Sequence, residues 1–224
     1  MRIGGLLKFS LIDYPGKVAA VIFTQGCNYR CPFCHNPELV LPELFIEPIL
    51  DSDIFTFLEK RKGQLQGVVV TGGEPTIHND LPQFLQKIKA MGFLVKLDTN
   101  GSRPDVLQAV LDAKFVDFVA MDVKSSLENY CKATGAPADL EAVKMSIGII
   151  KKAEVEHEFR TTALKTIVTD TDMAAIKERI GPGQNYIVKR GNLKDKVLDY
   201  NFFADQPDYS DEEWRKISRS YLGH

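Results

Sequence analysis

The 224-residue chain is 44% apolar and 26% charged, an ordinary globular composition with enough length for one well-filled core. Its 28 basic and 30 acidic residues leave a formal charge of −2, so no broad positive field is available to hold a nucleic-acid backbone. The longest apolar stretch, Val18 to Phe23, is too short to span a bilayer, and Asp13 and Lys17 interrupt any signal-like region before it, which predicts a cytoplasmic protein.

Residues 1–17 read as a small extended or hairpin lead-in that turns at Tyr14-Pro15-Gly16. Short apolar, β-branched runs then alternate with longer amphipathic segments, the pattern of βαβ units and a parallel sheet. Strands are predicted at Val18 to Thr24, Gly67 to Thr71, Phe93 to Asp98, Phe115 to Asp122, Glu158 to Val168 and Asn185 to Lys189. Helices are predicted at Ser52 to Lys62, Leu81 to Met91, Pro104 to Ala113, Pro137 to Lys152 and Asp172 to Ile180. Gly63, Gly92 and Gly181 stop three of these, while Pro104 and Pro137 sit where a first turn tolerates a fixed φ. After Lys189 the rhythm ceases, and Ser210 followed by acids up to Glu213 predicts a capped terminal helix.

The chemistry concentrates in the run Gln25-Gly26-Cys27-Asn28-Tyr29-Arg30-Cys31-Pro32-Phe33-Cys34-His35. Cubane iron–sulfur clusters are usually held by four thiolates, so three clustered cysteines leave one iron open to a small molecule. A zinc site from Cys27, Cys31, Cys34 and His35 is the alternative, but zinc ribbons bring their ligands in two separated pairs, and adjacent Cys34 and His35 would struggle to reach one tetrahedral ion. A disulfide framework does not suit four cysteines in a chain of this length without a secretory segment. Cys131 reads as a lone unpaired thiol near a helix end.

The C-x3-C-x2-C spacing, with Phe33 directly before the third cysteine, closely resembles the signature of the radical S-adenosylmethionine (radical SAM) enzymes. The resemblance implies a 4Fe-4S cluster on Cys27, Cys31 and Cys34, with S-adenosylmethionine chelating the fourth iron and yielding a 5′-deoxyadenosyl radical after one-electron reduction. It also implies the family's fold. Six βα units are too few for an eight-stranded barrel and fit an α/β, incomplete (β/α)6 TIM-like barrel over residues 1–190, with 191–224 as a C-terminal extension carrying the terminal helix.

In α/β folds of this kind chemistry gathers at the carboxyl ends of the strands, and the remaining motifs obey that rule. Gly72, Gly73, Glu74 and Pro75 match the family's segment for the methionyl amino group; glycines admit close backbone approach, and a carboxylate suits an ammonium donor. Read without the resemblance, the same four residues are a tight turn. Asp98, Thr99, Asn100 and Gly101, with Asp122 to Lys124, resemble segments of the enzymes that activate glycyl radical proteins. There the aspartates and threonine line a monovalent-cation site, which makes Asp98, Thr99 and Asp122 candidate ligands, with aspartates capping a turn as the alternative. Lys124 and Arg160 are expected to face the carboxylate of the cofactor or substrate, and Phe33 to pack against adenine. His35 is expected to do no more than hydrogen-bond near the cluster loop.

The longest resemblance, Ser10 to Lys17 followed by Val18 to Val40, is to activating proteins of anaerobic ribonucleoside-triphosphate reductase. It implies hydrogen-atom removal from a glycine of that reductase's large subunit, fed by a flavodoxin- or ferredoxin-like electron donor. Beyond residue 165 the pattern departs: Thr166 to Thr171 lacks the family's Pro-Gly turn, and Lys189 to Asn192 is not its usual ending. Activation of a formate-lyase type enzyme, small-molecule radical chemistry, and a non-catalytic metal-binding module that docks onto a partner remain the alternatives.

Overall fold

The computed structural model describes residues 1–192, 196–203 and 206–221. Of the 191–224 extension, residues 193–195, 204–205 and 222–224 therefore lie outside the described residues. Its sheet has seven strands in simple sequence order, β1 (Ile3–Ser10), β2 (Ala19–Thr24), β3 (Gly67–Gly72), β4 (Leu94–Thr99), β5 (Phe118–Asp122), β6 (Glu156–Ala163) and β7 (Tyr186–Arg190). Strands β2 to β7 are parallel and supply the six βα units. The sheet does not close: among the described residues β1 and β7 do not pair.

The expected extended or hairpin lead-in is the full strand β1, antiparallel to β2 and pairing Ile3 with Thr24 and Ser10 with Ala19 along its free edge. The expected turn closes through Lys17 N–H donating to the Tyr14 carbonyl at 3.1 Å. It drops the Tyr14 ring onto the inner face of the sheet, edge-on to Phe118 at 5.8 Å between centroids.

Helices α1 (Pro37–Val40), α2 (Asp51–Glu59), α3 (Leu81–Ala90), α4 (Pro104–Asp112), α5 (Tyr130–Thr134), α6 (Leu140–Lys152) and α7 (Asp170–Ile180) follow the strands, and α8 (Tyr200–Phe203) and α9 (Asp211–Tyr221) follow β7. Several boundaries shift for visible reasons. Asp139 caps α6 by accepting from Glu141 N–H and Ala142 N–H, so the helix starts three residues after Pro137. Thr169 and Asp172 form a reciprocal capping box, which starts α7 earlier than predicted. β5 begins only at Phe118 because Lys114 adopts a left-handed φ of 55° and Asp117 turns back to accept from Val95 N–H at 2.7 Å. β6 ends at Ala163, where Ile167 N–H and Val168 N–H fold back onto the Leu164 carbonyl.

Because side chains alternate along a strand, the sheet has two characters. One face meets the helices in the main core, with Ile22, Val70, Leu97 and Met121 packed against Leu85, Ile88, Leu107 and Ile147. Each such buried side chain stabilises by about 1.5–3 kcal/mol. The inner face holds a small apolar floor of Tyr14, Val21, Val69, Phe118 and Ala120, and above it turns polar at Lys96, Asp98, Asp122 and Arg160. Register places Thr24, Gly72, Thr99 and Asp122 at the same carboxyl end.

Candidate functional site

The loop after β2 carries the three cysteines, and it is fastened from four directions. Arg30 Nη1 donates to the Cys27 carbonyl at 2.7 Å and the Tyr29 carbonyl at 2.9 Å, while Arg30 N–H donates to Thr134 at the end of α5. Gly26 N–H donates to the Leu39 carbonyl, tying the loop's entry to α1. From the other end of the chain, Leu198 N–H and Asp199 N–H donate to the carbonyls of Cys34 and Pro32 at 2.8 and 2.9 Å. His35 Nε2 lies 2.8 Å from the Asn192 carbonyl, so its bond is to the segment after β7.

Cys27, Cys31 and Cys34 are all free thiols on one cavity of about 240 Å³. Burial pushes the Cys27 thiol up to about 12 and Cys31 up to about 11, and raises Cys34 as well. Metal loading must therefore displace protons, and it tightens as pH rises. Among the described residues, no group of three His, Cys, Asp or Glu side chains is drawn together around a single point. Cys131 is free and exposed on α5.

Phe33, Gly72, Gly73, Glu74, Asp98, Thr99, Asn100, Asp122 and Lys124 line the same cavity. Pro75 and Arg160 do not. Pro75 opens the turn behind Glu74, and Arg160 lies one layer deeper. Tyr29, Thr71 and Thr162, to which the sequence motifs assign no role, also line the cavity, as does His35. Tyr29 carried a signal in lying between two cysteines, and its buried hydroxyl has no hydrogen-bond partner. A larger hollow of about 1280 Å³ lies outside, between α4 and α6, lined by none of the residues 27–35.

Gly72 and Gly73 lie against the cysteine loop: Gly73 N–H donates to the Thr24 carbonyl at 2.9 Å, and Glu74 N–H to the Gly26 carbonyl at 2.8 Å. Gly72 has φ +116°, and a Cβ on Gly73 would fall on the Gly26 carbonyl. Gly73→Ala is expected to destabilise the fold by about 1–3 kcal/mol through overpacking and to displace the cavity wall. Urea unfolding read beside equilibrium dialysis of S-adenosylmethionine checks both effects.

Glu74 lines the cavity with its carboxylate already engaged by the protein. It is 1% exposed; Oε1 accepts from Thr76 N–H at 3.1 Å, Thr76 Oγ1 at 2.5 Å and Thr99 Oγ1 at 2.7 Å, and Oε2 accepts from Asn100 N–H at 2.6 Å. Burial raises its carboxyl above the usual range, against the pull of the bonds from Thr76, Asn100 and Thr99. These bonds describe a brace between the loops after β3 and β4. Asn100 extends it, donating through Nδ2 to Asn28 Oδ1 at 3.0 Å beside Cys27.

Lys124 Nζ lies 3.1 Å from Asp122 Oδ2. Burial opposes both charges, yet the pair is held ionised: Arg160 and Lys124 keep the Asp122 carboxyl well below the usual carboxylate range, and Asp122 with Cys31 lifts Lys124.

Residues 21–180 match the family model of the radical SAM superfamily. The chain belongs to that superfamily. This radical SAM protein is 32% identical over 231 residues to a Methanocaldococcus jannaschii protein named as a glycyl-radical enzyme activating enzyme, a match covering 98% of this chain and 92% of the relative. It therefore falls in the glycyl-radical enzyme activating group and is an enzyme. It is also 30% identical over 142 residues to the pyruvate formate-lyase-activating enzyme of Staphylococcus epidermidis, covering 56% of this chain and 54% of that one. Among solved structures, Streptococcus suis SuiB bound to S-adenosylmethionine superposes with a TM-score of 0.65 at 14% identity, over 90% of this chain and 46% of that one. A domain of a Bacteroides vulgatus pyruvate-formate lyase-activating enzyme gives 0.54 at 17% identity, over 70% and 92%. Both likenesses are of fold.

Radical SAM enzymes use a 4Fe-4S cluster and S-adenosylmethionine, and the residues here fit both. Three free thiols on one cavity are the donor set for a cluster with one open iron, and the glycine wall is a cradle that a Cβ would fill. The candidate cation ligands fit less well. Asp98 and Asp122 are bridged by Arg160, and the Thr99 hydroxyl donates to Glu74, so Asp98, Thr99 and Asp122 do not present an open oxygen cradle.

Proposed function

We propose that this enzyme generates a glycyl radical on the large subunit of anaerobic ribonucleoside-triphosphate reductase, in the cytoplasm, with electrons from a flavodoxin- or ferredoxin-like donor. The observation that carries the glycyl-radical part is the end-to-end similarity to a relative named for that activity. The choice of reductase rests on the segment Ser10 to Lys17, which resembles activating proteins of that enzyme and which folds as the turn that plugs the inner face of the sheet with Tyr14.

When bound, the cluster and S-adenosylmethionine supply a 5′-deoxyadenosyl radical by one-electron cleavage of a carbon–sulfur bond. The chain's own work is to bind, orient and exclude water. Cys27, Cys31 and Cys34 would hold the cluster, and the Gly72 to Glu74 turn on the same cavity would meet the amino end of the cofactor. Phe33, 6% exposed on the cavity wall, offers a flat apolar face for adenine. Lys124, kept charged by Asp122, is the cation on the wall for a carboxylate. The unclosed edge between β7 and β1 leaves a lateral way in for a glycine-bearing loop of a large partner.

Activation of a formate-lyase type enzyme is the second reading, favoured by relatives named for pyruvate formate-lyase activation. Reconstituted, reduced enzyme mixed anaerobically with S-adenosylmethionine and each partner in turn separates the two. A glycyl doublet in the electron paramagnetic resonance spectrum of the reductase, and none on the lyase, is expected. The reverse pattern moves the assignment to the lyase.

A further inference from the structure

The inner face of the sheet gathers six charges in one cluster at the floor of the cavity, Lys96, Asp98, Asp122, Lys124, Glu158 and Arg160, three of each sign; Lys96 and Glu158 are buried and the other four half-buried. Arg160 is its hub. From β6, its Nε donates to Asp122 Oδ1 at 2.8 Å on β5, and its Nη1 donates to Asp98 Oδ2 at 3.1 Å on β4, with Glu158 at 3.7 Å. The other two carboxylate oxygens are taken by lysines, Asp98 Oδ1 by Lys96 at 2.5 Å and Asp122 Oδ2 by Lys124 at 3.1 Å. All four oxygens of the aspartate pair thus face a fixed positive charge. The Thr99 hydroxyl is engaged as well, donating to Glu74 and accepting from Gly101 N–H at 3.1 Å.

A mobile cation entering between Asp98 and Asp122 would meet Arg160, Lys96 and Lys124, each already bonded to one of these carboxylates, and like charges at such range repel. A guanidinium also does what a spherical ion cannot. Its planar fork reaches two carboxylates on two strands along fixed directions, and it cannot dissociate. We propose that Arg160 is a tethered counter-cation, occupying the place between Asp98 and Asp122 that a monovalent ion would fill, so that this enzyme binds S-adenosylmethionine without regard to the alkali cation present. Arg160 is then a positioning residue: it sets the two aspartates that line the cavity and ties the carboxyl ends of β4, β5 and β6 together.

The inference rests on S-adenosylmethionine as the cofactor, and the test separates the two. S-adenosylmethionine is titrated calorimetrically into reconstituted protein in sodium, potassium, rubidium or tetramethylammonium chloride at equal ionic strength. Wild-type affinity is expected to agree across the four salts. Arg160→Gln is expected to bind about tenfold more weakly in tetramethylammonium and to recover in sodium, potassium or millimolar guanidinium, a coupling of ordinary size between two ligands. A saturable rise of wild-type affinity with sodium or potassium overturns the proposal, as does a folded Arg160→Gln protein that is equally weak in every salt. Should Arg160→Gln fail to fold, the thermal midpoint of the cluster-free wild type decides: the same value in all four salts supports a tethered cation, and a cation-specific rise refutes it. No binding by wild type in any salt removes the cofactor assignment, while the thermal measurement still tests Arg160.

Discussion

Cys31→Ser protein is expected to purify folded and colourless, to give no cubane signal after anaerobic reconstitution and to show no detectable cleavage of S-adenosylmethionine. Cys31 is the middle thiol of the three and the most buried, and its carbonyl accepts from Cys34 N–H at 3.0 Å in the turn that brings the second and third thiols together. Serine preserves that turn and nearly the same volume, so stability is expected to change by no more than about 1–2 kcal/mol. What is lost is a thiolate. Burial already raises the Cys31 thiol to about 11, and iron overcomes that cost only because sulfur binds it strongly; a serine hydroxyl is harder to deprotonate and a poorer ligand. Cys131→Ser is the matched control, since its thiol is exposed on α5 and lines no part of the cavity. A normal cluster in Cys31→Ser, or its loss in Cys131→Ser, would contradict the ligand set.

Much of this arrangement was legible in the sequence because its signals are local. A β-branched run ending in glycines marks β3 and its loop, and a proline at the first turn marks α4. Three cysteines at fixed gaps after a strand need no knowledge of what lies across the sheet. β1 was less legible because Gly4 and Gly5 weaken its strand propensity, and Leu7 and Phe9 stay exposed; only the edge of β2 makes it a strand. Helix α5 is five residues long and ends on Gly135 at φ +61°, where the Arg30 carbonyl leaves no room for a Cβ, so docking to the cysteine loop defines it. The bonds from Leu198 and Asp199 to the same loop are likewise a contact across more than 160 residues, which no periodicity announces.

Charge is where local reading misleads. In the sequence, Asp98, Thr99 and Asp122 are hard oxygen donors at strand ends, and Arg160 is a cation some 40 to 60 residues away with no visible partner. Strand pairing sets Asp122 directly beside Arg160, and the alternation of side chains turns Asp98 to the same face. A buried guanidinium without partners would be prohibitively unfavourable, so once the register is known the aspartates become its counter-ions as much as anything else's ligands. The same residue types support either role; topology decides which one they have.

Glu74→Ala is expected to lower the stability of the cluster-free protein by about 3 kcal/mol or more and to weaken S-adenosylmethionine binding at the same time. Four donors, Thr76 N–H, Thr76 Oγ1, Thr99 Oγ1 and Asn100 N–H, converge on this carboxylate in a site closed to water, and alanine leaves all of them without an acceptor. Thr99 ends β4 and Asn100 continues it, so releasing them frees Asn100 Nδ2 from Asn28 and loosens the cysteine loop beside Cys27. Glu74→Gln keeps one oxygen but turns an amide toward a donor, and an intermediate loss of about 1–2 kcal/mol is expected. Urea denaturation of the metal-free protein gives the stabilities, and dialysis of labelled cofactor onto the reconstituted protein gives the affinities. The pairing of the two readouts discriminates between a brace and a direct contact. A carboxylate that grips the cofactor's ammonium group would lose affinity with stability intact, whereas a brace loses both together, in proportion to how many of its four bonds the substitution removes.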